Sequence, residues 1–212
     1  RSWSKLEDCL SSLDQQTEKI KKVIVVDNRS DDGILENFIK KFPWVVWIKN
    51  DTNAGFAAAC NLGTQKTSSQ WLLFLNPDTR LPKDCLKTLI PYCDQHPEFH
   101  LISIKQISES GKNTHPYGIF PNVLNSAGLL RSLERLILHP DQTKKAMAKN
   151  PIAFPQWISG SFVLVRKEHF DLIGGWDDRF WMYCEDIDLS KRAAEANLKR
   201  VILNEWKCLH FH

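Results

Sequence analysis

Asn76-Pro77-Asp78 follows directly on the apolar run Trp71–Leu75, so an amide and a carboxylate are delivered at the end of a segment that the chain must bury. A hard cation suits that place, because Mg²⁺ or Mn²⁺ takes oxygen ligands and is held by one or two carboxylates plus substrate phosphates. The same string forms turns in any protein, and both readings stand at this point. Glu185-Asp186-x-Asp188 puts three acids into four residues at the start of a helix-like pattern. Such acids favour the helix dipole and repel one another, which predicts that a pKa rises. Asp186 or Glu185 could then take the proton of a hydroxyl nucleophile; the alternative is a charge cluster on a solvated helix. Gly174-Gly175-Trp176 and the aromatic run Phe180–Tyr183 lead into these acids and predict a packed pocket wall.

Asp27-Asn28-x-Ser30-x-x-Gly33 also reads in two ways. Its polar side chains cap a helix that begins near Ile34, or Asp27 accepts hydrogen bonds from a ligand such as a nucleobase. His210 and His212 alternate at the end of an apolar segment, so on a strand they point to one face. Metal binding by both, with Asp78 as a distant third ligand, stands beside a merely solvated terminus.

These residues need a scaffold, and the hydrophobic pattern supplies one. Trp3, Leu6, Cys9, Leu10 and Leu13 fall at helical spacing, whereas Val23–Val26, Trp44–Ile48 and Trp71–Leu75 are short continuous apolar runs typical of buried strands. Helices are predicted over 34–42 and from Asn53, giving a βαβαβ alternation. Such a chain builds a parallel sheet with helices on both faces and binds ligands beyond the carboxyl ends of its strands. Further along, helices are predicted over Pro82–Cys93, Gly128–Leu138, Lys167–Leu172 and Glu185–Asn197. Strands are predicted over Leu101–Lys105, Trp157–Val165 and Val201–Leu203, with a long loop over 108–125.

At about 150 residues per domain, the 212 residues predict a single domain, with a nucleotide-binding part over about 1–105 and an acceptor-binding part over about 106–212. Hydrophobic residues at 42% and charged residues at 25% exclude disordered, collagen-like and repeat chains. The balance of 28 basic against 25 acidic residues, a net +3, gives no charge argument for a nucleic-acid partner. Six scattered cysteines without a Cys-x-x-Cys pair predict reduced thiols in a cytoplasmic protein. Residues 128–149 interleave leucines with Arg131, Arg135, Lys144, Lys145 and Lys149, which fits peripheral contact with the inner face of the cell membrane and fits ordinary packing equally well.

Taken together, VIVVDNRSDDG at 23–33, NAGFAAACNLG at 53–63, LLFLNPDT at 72–79, WISGSFVLVRK at 157–167, IGGWDDRFWMYCEDIDLSKR at 173–192 and the closing His210 resemble family 2 glycosyltransferases in order and spacing, with the rhamnosyltransferase-like branch the nearest in style. The resemblance implies an α/β fold of GT-A type. This is a nucleotide-sugar-binding αβα sandwich with a mostly parallel central sheet, inverting the anomeric centre in a single displacement.

By that likeness Asp27 contacts the base, and Asn28, Ser30, Asn53, Gly55, Asn61 and Asn76 surround the nucleotide. Asp78 stands at the second acid of the family's D-x-D motif and holds Mg²⁺ or Mn²⁺ on the diphosphate, Asn76 replaces the first acid, and His210 assists. Asp186 is the general base, with Glu185 the fallback. Trp157, Ser159, Gly160, Gly175, Trp176 and Asp177 shape the donor–acceptor pocket. The implied donor is dTDP-rhamnose, ahead of a UDP-hexose, and the implied acceptor a saccharide or lipid-linked saccharide of cell-surface polysaccharide synthesis. Family members begin with an apolar strand and many continue past the histidine, so the expectation is a fragment at both ends that lacks the sheet's first strand. Two other functions stay open: a sugar nucleotidyltransferase, whose Gly-rich loop with Arg and Lys is not visible, and a non-catalytic binding domain on a transferase scaffold.

Overall fold

The apolar runs form strands because both faces of each are buried. In β3 (Trp71–Leu75), β5 (Leu101–Ile107), β9 (Phe162–Arg166) and β10 (Arg200–His210), successive side chains enter opposite cores. Ile102, Ile104, Phe162, Leu164, Val201 and Leu203 pack in one core, and Leu101, Val163, Val165 and Ile202 in the other. The first core is closed by α1 (Trp3–Asp14), α2 (Leu35–Lys41) and α4 (Cys85–Gln95). The second is closed by α3 (Gly55–Thr64), α5 (Lys167–Leu172) and α6 (Glu185–Glu195), which makes an αβα sandwich. This computed structural model describes residues 3–16, 20–121 and 148–211. Among them no helix is long and apolar enough to cross a membrane.

The pairing is more mixed than a mostly parallel sheet. β1 (Val23–Asp27) and β2 (Val45–Lys49) pair in parallel as a sheet of their own. The larger sheet has six strands in the order β3-β9-β5-β10-β4, where β4 is Thr79–Arg80, and β7 (Ile152–Ala153) lies beside β10. β5 and β10 are parallel, whereas β9 runs antiparallel to β3 and β5, as β4 and β7 do to β10. The physical reason for the reversal lies in the entry to β9: Phe162 at its start pairs with Leu75 at the end of β3, so the chain re-enters the sheet from the carboxyl rim of the parallel strands.

β1 and β3 do not pair. Between them lies an apolar slot of about 560 Å³, lined by Val23–Val26, Trp71–Leu75, Leu10 and Leu13 of α1 and Ala59 of α3, and reaching Asn28 and Pro77 at the rim. No strand among the described residues occupies the slot.

Other differences are local. The strand predicted over Trp157–Val165 is broken at Ser159-Gly160-Ser161 into β8 (Trp157–Ile158) and β9, and β8 pairs with β6 (Tyr117–Gly118) inside the predicted long loop. The strand predicted over Val201–Leu203 continues to His210 through an irregularity between Leu203 and Lys207. The helix predicted over Gly128–Leu138 lies outside the described residues, as do 128–147 of the membrane-contact stretch and His212.

Candidate active site

Asp27 leaves β1 at the carboxyl rim and is held by Ser30, whose backbone N–H donates to Oδ2 at 3.2 Å and whose hydroxyl donates to Oδ1. Arg29 and Asp31 adopt the left-handed region, at φ 61° and 49°, which folds the loop back on itself. The capping alternative is not realised by these residues. Ile34 is the N-cap of α2 and makes no side-chain cap, and the Ile34 N–H goes to Asp32 Oδ1 at 3.2 Å. Asn28 instead reaches across the rim, donating from Nδ2 to Gly55 O at 2.9 Å while its Oδ1 accepts from Asn50 Nδ2 at 2.8 Å.

The helix that opens at Asn53–Gly55 touches the segment before the acids rather than presenting all of its polar groups outward. Asn53 Oδ1 accepts the Gly55 N–H at 3.1 Å, and its carbonyl accepts Trp181 Nε1–H at 3.2 Å. Gly55 has φ +86°, and a Cβ there would lie 2.2 Å from Trp181 O, so only glycine fits. Asn61 donates from Nδ2 to Trp176 O at 2.7 Å and accepts the Trp176 N–H on Oδ1 at 3.0 Å. Both functions of its amide are therefore committed to the protein, a role the sequence did not suggest.

Asn76, Pro77 and Asp78 turn the chain out of β3. The Asn76 carbonyl accepts the Thr79 N–H at 3.2 Å and hydroxyl at 2.7 Å, so the turn-former reading is realised. Asp78 then returns beside β10, its carbonyl accepting the Phe211 N–H at 2.8 Å. His210 Nε2 lies 3.3 Å from Asp78 Oδ1, an oxygen that is buried without a hydrogen-bond partner. Burial alone would raise the Asp78 carboxyl, but the nearby His210 ring, helped by its own amide and by Lys5, outweighs burial and holds it below the usual carboxylate range. Among the described residues no three His, Cys, Asp or Glu side chains converge on a metal position. The pair Asp78 and His210 nevertheless fits a divalent ion that takes its remaining ligands from phosphate oxygens and water, because a carboxylate oxygen and an imidazole nitrogen stand 3.3 Å apart and the oxygen makes no well-aligned hydrogen bond.

Asp186 sits in the first turn of α6. Its Oδ2 accepts the Gly160 N–H at 3.2 Å and its Oδ1 the Ile187 N–H at 2.8 Å. The Gly160 turn is itself fixed from beneath: the hydroxyl of Ser161 bonds to fully buried Gln106 at 2.7 Å and to Ser159 at 3.1 Å. Asn76 N–H donates to Ser161 O at 3.0 Å, which sets the turn that carries Asp78 against the Ser159–Ser161 turn. Gln106, Asn50 and Ser161 were missed in the sequence; the one available signal was a glutamine inside the apolar strand LISIKQI.

Burial raises both Asp186 and Glu185. For Asp186 the Gly160 and Ile187 amides moderate the rise, and for Glu185 the Asp186 charge adds to it. The predicted rise is present, but desolvation rather than mutual repulsion is its main cause. Glu185 is 9% exposed with Oε2 unpartnered, and Asp188 pairs with Arg192 at 2.7 Å.

The predicted pocket residues divide. Ser159 and Gly160 form the turn against Asp186. Trp176 is 2% exposed and packs edge-on to Phe56 and Phe74, so it is core rather than pocket wall. Gly175 has φ +73°, and a Cβ there would meet Asn61 Oδ1 at 3.0 Å. Asp177 is bound by the Arg179 guanidinium, which holds it down at about 2. Trp157 donates from Nε1 to Ile119 O at 2.8 Å and braces the 118–119 edge. The aromatic run does not pack as a wall: Trp181, Met182 and Tyr183 are 53%, 48% and 77% exposed.

Comparison with known proteins bears on this rim. The model of the family described as glycosyl transferase family 2 matches residues 1–168. The chain is 26% identical over 227 aligned positions to N-acetylglucosaminyl-diphospho-decaprenol L-rhamnosyltransferase of Mycobacterium tuberculosis, covering 97% of this chain and 71% of that protein. It is 27% identical over 199 positions to rhamnosyltransferase WbbL of Escherichia coli, covering 90% and 72%. Among solved structures, GalNAc-T7 with UDP, GalNAc and Mn²⁺ superposes with TM-score 0.71 at 14% identity, covering 100% of this chain and 42% of that one. S. aureus TarS 1–349 in complex with UDP gives TM-score 0.64 at 18% identity, covering 98% and 56%. At such identities the structural likeness establishes the GT-A-type fold.

Proposed function

This chain belongs to glycosyl transferase family 2, and from that premise we propose that its rim moves a sugar from a nucleoside-diphosphate donor to a hydroxyl of a saccharide or lipid-linked saccharide, with inversion at the anomeric carbon. The observation that carries the reading is the pair of hydrogen bonds that join Asn76 to Ser161 and Gly160 to Asp186. They put a half-buried carboxylate of raised pKa, Asp186, beside the turn that carries Asp78.

A sugar hydroxyl is a weak nucleophile until its proton can leave. Asp186, desolvated yet steadied by two backbone N–H groups, is suited to accept that proton as the anomeric bond forms. Asp78 and His210 would hold a divalent ion, Mg²⁺ or Mn²⁺, which when bound offsets negative charge growing on the departing diphosphate. Asp27, set by Ser30 at the end of β1, is placed for a nucleobase. Glu185, the preceding acid, is buried out of solvent. The rhamnosyltransferase names of the two relatives favour dTDP-rhamnose over a UDP-hexose as donor, and a lipid-linked saccharide as acceptor.

Thermal-shift titration with thymidine, uridine and guanosine diphosphates, with and without Mn²⁺, tests the reading, since a ligand of the folded state raises the melting temperature. A metal-dependent shift with thymidine diphosphate is expected. Nucleotide binding that persists without any donor turnover would favour the non-catalytic scaffold instead.

A further inference from the structure

We infer that Asn61 is a positioning residue for the general base, acting through the segment 176–184 that crosses from the core to α6. The inference rests on the reading of Asp186 as that base. The segment is pinned to α3 at two places. At its start, Asn61 Nδ2 donates to Trp176 O at 2.7 Å and Oδ1 accepts the Trp176 N–H at 3.0 Å, so a side-chain amide pairs with a backbone as one strand pairs with another. Towards its end, the Phe56 N–H donates to Trp181 O at 3.1 Å and the Trp181 indole donates to Asn53 O at 3.2 Å. Asn61 and fully buried Ala57 lie one turn apart on α3, which brings this face against Trp176.

From the second pin onward the segment holds little of itself in the core. Trp181, Met182, Tyr183 and Cys184 are exposed, and Tyr183 and Cys184 take φ of 69° and 70° immediately before Glu185. Such a conformation persists only when its surroundings fix it. Arg192 of α6 adds a hold on the preceding stretch, donating to Gly175 O at 2.7 Å. Only Asn at position 61 supplies a donor and an acceptor at this reach; Asp lacks the donor and Leu lacks both.

The test compares Asn61→Leu and Asn61→Asp with the wild-type chain by three readouts. These are hydrogen exchange of the 177–184 amides, binding of uridine and thymidine diphosphates by calorimetry, and kcat and KM for release of nucleoside diphosphate from its sugar donor, per folded molecule. Exchange of 177–184 is expected to accelerate more than tenfold in Asn61→Leu and less in Asn61→Asp. A fall in kcat of about 10- to 100-fold is expected, in the same order, with nucleotide affinity and donor KM within twofold of wild type, since misplacement of about 1 Å costs on that scale. Nucleotide affinity falling in step with kcat would overturn the inference by making Asn61 a nucleotide contact, and so would unchanged exchange and kcat. If Asn61→Leu does not fold, Asn61→Asp carries the comparison. Asp186→Asn run in parallel separates the two readings: retained turnover there refutes Asp186 as base. If the wild-type chain itself turns nothing over, hydrogen exchange alone decides whether Asn61 holds the segment, and unchanged exchange refutes it.

Discussion

The backbone N–H of Gly160 donates to Oδ2 of Asp186 across 3.2 Å, so the carboxylate assigned as base is held by the turn that interrupts an otherwise continuous apolar run. A Cβ on Gly160 would meet the rings of Phe56 and Trp176 at 3.4 Å, which keeps the turn seated on the core. Asp186 is thereby fixed from the sheet side as well as from its own helix.

Asp186→Asn is expected to lower turnover by about 100- to 10,000-fold, the usual contribution of a positioned base. Its stability should move the other way. Burial holds the folded-state pKa of Asp186 above the ordinary 3.8, so folding favours the neutral acid. That contribution is complete below 3.8 and is lost as pH rises through the raised folded value. At pH 8 the wild type therefore carries a partly desolvated charge that the amide lacks. Melting curves should place Asp186→Asn above wild type at pH 8, with the gap closing towards pH 4; a variant that melts lower at pH 8 would show that the carboxylate is favourably ionised.

Gly55→Ala combines a left-handed backbone with a collision, since the new Cβ would lie 2.2 Å from Trp181 O and the backbone there has φ +86°. The neighbour is main chain and cannot rotate away. A loss of about 2 kcal/mol is expected from the backbone alone, which for a chain of this size lowers the melting temperature by about 4–8 °C. Gly33 has a similar φ of +71° with open space around it, so Gly33→Ala should cost less. Equal losses at the two positions would remove the Trp181 contact from the explanation.

Much of this arrangement was legible in the sequence. The strands were, because a sheet buried on both faces writes continuous apolar runs, and β3 begins and ends where Trp71–Leu75 does. The acids were, because a carboxylate leaving such a run has few reasons to be there. What escaped was set by partners distant in sequence. Asn61 looks like a nucleotide ligand within its own motif, and its actual partner is 115 residues away. The break at Gly160 was hidden because apolar residues continue on both sides of it. The reversed direction of β9 leaves no trace in composition, since an apolar strand reads alike both ways. The exposure of Trp181–Tyr183 was misjudged because aromatic type signals burial on average, not in a segment held by its backbone.

Among the described residues, β1 and β3 are each paired on one side only, with β2 and β9 respectively, and face the slot on the other. Backbone hydrogen bonds at such edges open locally without the rest of the fold. Amide exchange is therefore expected to be slowest in β5 and β9, which are flanked in the centre of the larger sheet, and faster in β1. Protection of β1 equal to that of β5 would mean that the slot is closed in solution.

Asp78 and His210 give the last prediction. Burial would raise the Asp78 carboxyl, but His210, the Asp78 amide and Lys5 together outweigh it and depress the pKa, so these contacts contribute stability that is present above 3.8 and is lost as pH falls through the lower folded value. His210→Ala should remove its share of that contribution, and its melting temperature should fall below wild type at pH 5 with a smaller deficit near pH 2. The same substitution takes away one of two residues suited to hold a divalent ion, and Asp78→Asn takes away the other. In calorimetric titrations, the enhancement of nucleoside-diphosphate binding by Mn²⁺ should drop by about 10- to 100-fold in either variant, while binding without metal changes little. Excess EDTA should bring wild type to the level of both variants. Mn²⁺ enhancement that survives in Asp78→Asn would place the ion elsewhere on the rim, and the assignment of Asp78 as its ligand would fall.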